Sequence, residues 1–368
     1  MPRRRILSVP DNGMRHSTAV LCLPADFHRA VIPTVATSKT ADAFVGIDVG
    51  GTTIKLGVID ARQNVVVHEQ IPTARFSTPA AAFRQARSTV NQALSTIGDH
   101  RLAAVGLAVP GLVSEDRLQE IVNLPGWVGV PLSDLVAQTF GQPVAIVNDG
   151  HAAAVAEHHV RRARISSLAV VTLGTGVGCG LVIDGKLFDG PGGFAGELGH
   201  VVVAPVKGRV CGCGCRGHLE AYAGAAGVVQ TARERLDEGA DSDRLRTARL
   251  TPADICAAAA DGDAVACQVV RDTAEKLGIA LAGMMQVLGP MTVLLAGGLT
   301  FGGPHSPVGR EFRRAIEEET KRRSLKQVAQ RLVIDFASLG QQAGVIGAAL
   351  MAGRSRLEGR PALTGTED

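Results

Sequence analysis

Aromatic residues, cysteines and long apolar runs are all scarce in this chain. Only 3% of its 368 residues are aromatic and seven are cysteine. No run reaches the roughly 18 apolar residues that a membrane-spanning helix needs, and the low cysteine content excludes a disulfide-dense secreted scaffold. The 46% hydrophobic content indicates a large core and about two domains. We therefore expect a soluble, cytoplasmic protein with no membrane partner.

Excess charge is confined to the first part of the chain. The formal net charge is +3, and residues 1–43 alone hold six basic against three acidic residues. The remainder is balanced, whereas a nucleic-acid-binding protein normally carries a basic face of its own. We therefore expect no nucleic-acid partner. Residues 1–43 are irregular in pattern and are predicted to form a disordered leader, and residues 354–368 a flexible tail.

The rest of the chain alternates between strand-like and helix-like segments. The stretch "FVGIDVGGTTIKLGVID" (44–60) places two β-rich runs around a Gly-Gly pair, which predicts a hairpin. The stretch at 168–188 repeats the same pattern of strand, glycine turn and strand. Ala-rich helical stretches follow at 219–238, 252–260 and 263–288. The alternation predicts an α/β fold, and the repeated hairpin predicts two related halves with a cleft between them.

Three glycine-rich turns at strand ends are candidates for phosphate binding. The first follows Asp48 and contains Gly50, Gly51, Thr52, Thr53 and Lys55; the second contains Gly174, Thr175, Gly176 and Gly178; the third contains Gly297 and Gly298. Glycines let backbone N–H groups approach a phosphate, threonine and lysine add donors and charge, and a neighbouring aspartate can hold Mg²⁺. Each turn alone also fits an ordinary strand connection. Together the three favour a nucleotide that lies across a cleft.

The stretch "VNDGHAAAVAEH" (147–158) places Asn148 and Asp149 between a strand and a helix. A carboxylate in that position can accept a proton from a substrate hydroxyl that attacks phosphorus. Asn and Asp are also preferred N-cap residues, and the local pattern alone favours the cap. Two interpretations of Asp149 are therefore open at this point.

Further polar residues follow a flexible loop. Glu197 and His200 lie in "GPGGFAGELGHVVV" (190–203), and Glu220 comes after the cysteine-rich stretch. Carboxylates and histidines can hold the hydroxyls of a sugar. The alternative is that all three are solvated surface residues.

The stretch "CGCGCRGHLE" (211–220) holds three of the seven cysteines within five positions, followed by a histidine and a glutamate. A disulfide, a reactive thiol cluster, a metal site and a chance grouping in a glycine-rich loop are all compatible with the residues alone.

Taken in order, these motifs resemble a sugar kinase of the ROK family (repressor, open reading frame, kinase), which lies within the actin-like ATPase superfamily. The segments that carry the resemblance are "DVGGTTIK" (48–55), "NDGHAAA" (148–154), "LGTGVGCG" (173–180), "GELGH" (196–200), "CGCG" (211–214) and "LEAYAG" (219–224). They cover about residues 44–353. The resemblance implies a two-domain, ribonuclease H-like fold with an interdomain cleft. The expected small domain spans 44–149 and is completed by a C-terminal helix at 341–353, and the large domain spans 150–340.

The resemblance also implies roles for single residues. Asp149 matches the general base that activates the sugar 6-hydroxyl, so the cap is no longer the favoured interpretation. The positions that match sugar ligands are Gly111, Asn148, Glu197, His200 and Glu220. The first two glycine turns match the family's phosphate loops, and Gly297 and Gly298 match its nucleotide-side turn. ATP with Mg²⁺ is the implied donor.

The family carries a structural zinc, and its ligand pattern matches this chain in three positions out of four. His200, Cys211 and Cys213 match, while His218 stands where the family has its last cysteine. Thiolates and imidazoles both bind zinc tetrahedrally, so a site of two histidines and two cysteines is acceptable. Cys215 is the alternative fourth ligand, and His218 is preferred because it keeps the spacing. Such a zinc would clamp the loop of Glu197 and His200 against the segment that leads to Glu220.

The implied activity is the ATP-dependent phosphorylation of a hexose at its 6-hydroxyl. The stretch "NLPGWVGVPL" (123–132) resembles a segment of glucose-phosphorylating members, which favours glucose. The alternatives are an N-acetylhexosamine, N-acetylmannosamine or fructose kinase, a sugar-responsive transcriptional regulator, and polyphosphate as the donor in place of ATP. The resemblance also implies a homodimer.

Overall fold

The computed structural model describes residues 41–60, 65–96, 100–114, 117–120, 125–289 and 291–357. Most of the predicted leader and tail lie outside these residues, but both predicted boundaries were wrong by a few positions. Residues 41–43 belong to the first strand, where Ala43 is buried and Asp42 pairs with Arg101 at 2.7 Å. Residues 354–357 belong to the last helix, where Arg356 reaches Asp42 at 3.5 Å.

Twelve strands lie within the described residues. They are β1 Ala41–Val49, β2 Thr53–Asp60, β3 Val65–Pro72, β4 His100–Val109, β5 Leu112–Ser114, β6 Arg117–Glu120, β7 Val144–Asn148, β8 Leu168–Leu173, β9 Val177–Ile183, β10 Lys186–Leu187, β11 Thr292–Ala296 and β12 Val333–Phe336. Ten of them form two five-stranded sheets, in the orders β3-β2-β1-β4-β7 and β10-β9-β8-β11-β12. Strands β5 and β6 form a separate small pair.

The two large sheets have the same pattern of strand directions. In the first, β1 pairs antiparallel with β2 and parallel with β4, which pairs parallel with β7. In the second, β8 pairs antiparallel with β9 and parallel with β11, which pairs parallel with β12. The prediction of two related halves, each opening on a hairpin, is confirmed. This is the mixed α/β arrangement of two similar halves that the family resemblance implies.

Ten α-helices lie within the same residues. They are α1 Pro79–Thr96, α2 Leu132–Phe140, α3 Asp149–Arg161, α4 Glu220–Ala223, α5 Ala225–Asp237, α6 Pro252–Ala260, α7 Ala264–Leu288, α8 Pro307–Arg323, α9 Lys326–Ala329 and α10 Ala343–Leu357. The single helix predicted over 219–238 was wrong in one respect. Gly224 has an extended backbone (ψ 163°) and separates α4 from α5.

Helices α3 and α10 lie between the two sheets. Strand side chains alternate between the two faces of a sheet, and Gly46 and Gly106 place α10 directly against the first sheet. A Cβ on either glycine would come within 1.9 Å of a carbonyl oxygen of α10. Helix α3 contacts the second sheet, where a Cβ on Gly180 would lie 2.1 Å from the carbonyl oxygen of Gly150. The buried side chains of α3 and α10 pack with Leu168 and other residues of the second sheet.

The outer faces of the two sheets carry the larger cores. Helices α1 and α2 cover the first sheet around Phe83 and Phe140, and α5 to α8 cover the second sheet around Phe312. The described residues belong to one compact unit, so the division into a small and a large domain stays a prediction. No helix among them combines the length and the apolar character that a membrane span requires.

Candidate functional site

The predicted site residues of the first half meet at one edge of the first sheet. Strands β1, β4 and β7 run parallel, so their carboxyl ends share an edge. Asp48 lies near the end of β1, Gly111 follows β4, and Asn148 ends β7. The amide Nδ2 of Asn148 donates to the carbonyl oxygen of Gly111 at 3.2 Å, which ties two of the predicted sugar positions together.

Asn148, and not Asp149, caps helix α3. The Oδ1 atom of Asn148 accepts hydrogen bonds from the backbone N–H groups of Gly150 at 2.8 Å and His151 at 3.3 Å, so Asn148 is the N-cap of α3. Asp149 is the first helical residue, and its Oδ1 accepts from Gly150 at 2.8 Å. The cap interpretation is therefore correct for Asn148 and wrong for Asp149.

The carboxyl group of Asp149 has an unusual proton affinity. Burial raises its pKa from 3.8 to about 6, and the negative charges of Asp48 and Glu197 act in the same direction. The hydrogen bond from Gly150 and the positive charge of Lys55 oppose the shift. The residue stays half-buried. A pKa close to neutral is what a general base requires, because the group is deprotonated at neutral pH yet still basic.

The first glycine turn lies beside this carboxyl group. Lys55 on β2 pairs with Asp48 at 3.0 Å, and Gly344 at the start of α10 packs so closely that a Cβ would lie 2.7 Å from Asp48 Oδ2. The turn is held by Thr73, whose hydroxyl donates to the carbonyl oxygen of Gly50 at 2.8 Å. Gly51 and Thr52 are exposed and Thr53 is half-buried, which leaves the turn open toward solvent.

The second and third glycine turns lie side by side at the corresponding edge of the second sheet. The N–H of Leu299 donates to the carbonyl oxygen of Leu173 at 3.0 Å, and Gly297 has a φ of +93° that only glycine adopts readily. Gly178, in β9, lies so close to Thr172 that a Cβ would come within 2.6 Å of its hydroxyl. Thr175, Gly297 and Gly298 are exposed at this edge, and Gly174 is half-buried.

Glu197 and His200 lie on a loop that is fixed against β9 and α3. Gly196 (φ +90°) lies so close to the strand that a Cβ would come within 2.2 Å of the carbonyl oxygen of Cys179. The ring Nε2 of His151 hydrogen-bonds to the carbonyl oxygen of Ala195 at 2.8 Å. Glu197 Oε2 lies 3.8 Å from His200 Nε2, and both side chains are exposed.

Four potential metal ligands converge where this loop meets the cysteine-rich stretch. The ligand atoms of His200, Cys211, Cys213 and His218 all lie within 4.8 Å of one another. Nδ1 of His200 is 3.3 Å from Nδ1 of His218, and Sγ of Cys213 is 3.2 Å from the latter. Around a tetrahedral zinc ion, neighbouring nitrogen and sulfur ligands lie about 3.3 to 3.8 Å apart. The donor types therefore fit zinc, and the closest separations lie near this range, while Cys211 Sγ and His200 Nδ1 are 3.9 Å apart.

The structure favours one of the two candidates for the fourth ligand. His218 belongs to the cluster, and Cys215 does not. Cys215 is exposed and closes a tight turn in which the N–H of Cys211 donates to its carbonyl oxygen at 2.8 Å. His218 instead precedes α4, and its bridge with Val202 directs it toward the histidine loop.

Two positioning residues could not be identified from the sequence. His151 holds the loop of Glu197, as described above. Arg209 donates to the carbonyl oxygens of Ala221 at 3.1 Å and Gly227 at 3.0 Å and lies 4.7 Å from the ring centre of Tyr222. The signals were a histidine two positions after Asp149 and the only tyrosine in the chain, and neither is specific.

The stretch "NLPGWVGVPL" begins outside the described residues, because residues 121–124 are not described. Its tryptophan, Trp127, is buried against Phe83, with 5.5 Å between the ring centres. The indole therefore belongs to the core of the first sheet and not to the candidate site.

The chain belongs to the ROK family, whose model matches residues 44–355. It is 34% identical over 315 residues to the glucokinase of Halalkalibacterium halodurans, which covers 83% of this chain and 93% of that protein. It is 31% identical over 310 residues to the N-acetylmannosamine kinase of Salmonella arizonae, covering 84% and 97%. Its structure is similar to a ROK family glucokinase from Streptomyces griseus in complex with glucose and AMPPNP, with a TM-score of 0.66, 28% identity, and 85% and 99% of the two chains covered.

Proposed function

We propose that this protein is an ATP-dependent hexose kinase that phosphorylates the 6-hydroxyl of glucose. The observation that carries the proposal is the carboxyl group of Asp149, whose pKa is raised to about 6 beside Asp48, Lys55 and Glu197. The similarity to a glucokinase at 34% identity and to a glucokinase complex with glucose and AMPPNP supports glucose and ATP as the substrates.

Asp149 acts as the general base in this proposal. Its carboxylate accepts the proton of the 6-hydroxyl as that oxygen attacks the γ-phosphorus, and the bond from phosphorus to the bridging oxygen of ADP breaks. Mg²⁺ bound with ATP would neutralise charge on the triphosphate, and Asp48 is the carboxylate that would hold it. Lys55 and the backbone N–H groups of the glycine turns bind the phosphates.

The sugar is bound by the second set of residues. Gly111, Asn148, Glu197, His200 and Glu220 are the proposed ligands of its hydroxyls, as the family resemblance implies. Because most of the rate enhancement of such kinases comes from positioning and electrostatics, the fixed backbone of these loops matters as much as the base. A cytoplasmic homodimer is the proposed working form.

We further propose that His200, Cys211, Cys213 and His218 hold a structural zinc ion. Zinc would fix the loop of Glu197 and His200 to the segment that precedes Glu220. Metal content of the purified protein tests this. His218→Ala should lose the metal, whereas Cys215→Ala, which truncates a side chain outside the four-residue cluster, should keep it. Full retention by the histidine variant would refute the assignment of His218.

A coupled assay of ADP release tests the main proposal. Glucose, fructose, mannose and the N-acetylhexosamines are compared as acceptors, with ATP and polyphosphate as donors. Asp149→Ala should lower turnover by about 10²- to 10⁴-fold while part of the sugar binding survives. A near-normal turnover in that variant would remove Asp149 from the mechanism. Failure to phosphorylate any hexose, together with sugar-dependent DNA binding, would favour a transcriptional regulator.

The second candidate is an N-acetylmannosamine kinase. The observation that favours it is the 31% identity to such an enzyme over 84% of this chain, close to the identity with the glucokinase. The same assay separates the two candidates. If N-acetylmannosamine is turned over much faster than glucose, the protein is an N-acetylmannosamine kinase and not a glucokinase.

A further inference from the structure

Glu220 is a proposed sugar ligand, yet its carboxylate contacts the second glycine turn. Oε2 accepts a hydrogen bond from the backbone N–H of Val177 at 3.0 Å. The same oxygen lies over Gly176, where a Cβ would come within 2.2 Å of it. A side chain at position 176 would therefore displace a carboxylate that lies 44 positions later in the chain.

A second set of contacts joins the same two segments. The backbone N–H of Ala225, at the start of α5, donates to the carbonyl oxygen of Gly174 at 3.0 Å. Gly224 lies so close to the turn that a Cβ would come within 3.0 Å of the carbonyl oxygen of Thr175. Residues 220–225 therefore hold the turn 174–177 at both of its ends.

The segment that holds the turn is itself firmly anchored. The N–H of Leu219 donates to the carbonyl oxygen of Val201 at 2.9 Å, and Arg209 binds the carbonyl oxygens of Ala221 and Gly227. Arg209 also hydrogen-bonds to Thr231 at 3.0 Å and pairs with Glu234. Glu220 thus extends from a well-fixed helix start toward a turn that has few contacts of its own.

The turn needs such a support because it is rich in glycine. Glycine loses more backbone freedom on ordering than any other residue, and a Cβ added to Gly174 would meet nothing within 4 Å. A binding loop that is already ordered binds its ligand more tightly, because binding does not then require the loss of backbone entropy that ordering the loop would cost. In this structure the N–H of Val177 is oriented by the carboxylate of Glu220.

We propose that Glu220 is a positioning residue for the phosphate-binding turn, so that nucleotide affinity depends on Glu220 before any sugar binds. This inference rests on the proposed function, because it requires the turn to bind the phosphates of a nucleotide. It gives Glu220 a part in both substrate sites, whereas Glu197, on the other loop, is a proposed ligand of the sugar.

Two conservative variants of Glu220 distinguish the effect of side-chain length from the effect of the negative charge. Glu220→Gln keeps an oxygen that can accept from Val177 and loses the negative charge. Glu220→Asp keeps the charge and shortens the side chain by one methylene, which withdraws the carboxylate from Val177. The affinity for ADP with Mg²⁺ is measured by titration calorimetry in the absence of sugar. We expect Glu220→Asp to bind ADP about tenfold more weakly, and Glu220→Gln to bind it within about twofold of the wild type.

Glu197→Asp is the matched control, because it makes the same shortening on the sugar side without a contact to the turn. It should leave ADP affinity unchanged and raise the KM for the sugar. Equal ADP affinity in Glu220→Asp and the wild type would overturn the inference while leaving the proposed function intact, and so would a loss in Glu220→Gln equal to that in Glu220→Asp. If the wild type itself does not bind ADP, the proposed function and this inference fall together.

Discussion

Asp149 obtains its basicity from residues that are far apart in the sequence. Asp48 on the first hairpin and Glu197 on the histidine loop raise its pKa, and Lys55 lowers it. Asn148 takes over the capping of α3, which leaves the neighbouring carboxylate in the first helical turn. A negative charge at a helix N-terminus is stabilised by the helix dipole. The net shift is nevertheless upward, so burial and like charge dominate at this position.

The raised pKa of Asp149 predicts how the activity changes with pH. The base must be deprotonated, so kcat/KM should rise with pH through about 6 and level off above it. Below that value it should fall about tenfold for each pH unit. A pH–rate profile with saturating MgATP measures this. Glu197→Gln should shift the midpoint to lower pH, because a charge that raises the pKa is removed. A profile that stays flat below pH 6 would exclude Asp149 as the titrating base.

The same shift predicts a pH-dependent stability. The native state holds a proton on Asp149 up to about pH 6, while the unfolded chain releases it near 3.8, so the free energy of unfolding falls as the pH rises through this window. Asp149→Asn removes the charge and should stabilise the protein by about 1 to 3 kcal/mol above pH 6. Urea denaturation measures the difference. The gain should vanish below pH 3.8, and an equal gain at both pH values would contradict a protonation effect.

Residue types were easier to predict from the sequence than residue partners. The glycine turns stood out because phosphate binding needs particular residues at a short spacing, whereas the metal ligands, among them Cys213 and His218, were implied only by the family resemblance. The contact of Glu220 with Val177 joins residues 43 positions apart, and no local pattern encodes it. The choice between Asn148 and Asp149 as the cap was open for a different reason, since both side chains cap helices equally well.

At the level of elements, the close approach of α10 to the first sheet depends on two glycines. A Cβ on Gly106 would lie 1.9 Å from the carbonyl oxygen of Ala348, and Gly46 makes the same approach to Val345. Neither neighbour is a flexible side chain. We expect Gly106→Ala to destabilise the protein by about 1 to 3 kcal/mol or more, because the helix must move away from the strand.

Gly283 in α7 is the matched control for that substitution. It lies inside a helix, is exposed, and has nothing within 4 Å of an added Cβ. Alanine favours a helix over glycine, so Gly283→Ala should stabilise the protein by about 0.5 to 1 kcal/mol. Thermal unfolding of the two variants gives the comparison. Shifts of the same sign in both would show that backbone propensity, and not the helix–sheet contact, decides the outcome.

Glu157 joins α3 to the segment that leads into α10. Its side chain is fully buried and accepts hydrogen bonds from the backbone N–H groups of Ser338 at 2.7 Å and Leu339 at 2.8 Å, and it pairs with Arg161. Glu157→Ala leaves a cation and two N–H groups without their acceptor and should cost about 3 to 5 kcal/mol. Chemical denaturation measures this, and Glu157→Gln should cost less. A loss below 1 kcal/mol in the alanine variant would contradict this role.

The strands and helices could be predicted from the sequence wherever a local pattern of residues indicates them. The two hairpins were predicted from strand-forming residues on either side of a glycine turn. The break between α4 and α5 was not predicted. It occurs at Gly224, whose extended backbone packs against the carbonyl oxygen of Thr175 in the second glycine turn. Glycine is tolerated in many helices, so a tertiary contact decides its conformation here.

At the scale of the whole molecule, the duplication of the fold places two sets of glycine turns at equivalent sheet edges. Parallel strands β1 and β4 in one half correspond to β8 and β11 in the other. The sequence predicted this duplication from the repeated hairpin. Only the family resemblance implied that the histidine loop, the cysteine-rich stretch and the start of α4 meet in one place, since no local pattern encodes how these segments pack against the second sheet.

That convergence predicts how metal removal affects the molecule. If zinc binds only the native state, its loss removes about 2.7 kcal/mol at a free metal concentration 100 times the Kd, so a chelator should lower Tm by several degrees. The effect should be local, because the cluster joins the loop of His200 to the segment before Glu220. Hydrogen exchange should become faster at 196–220 and at the turn 174–177, which Glu220 supports, and stay slow in β1 and β4. Faster exchange in both sheets would instead mean that the metal stabilises the whole fold. An unchanged Tm in the chelated protein would show that the metal does not contribute to stability.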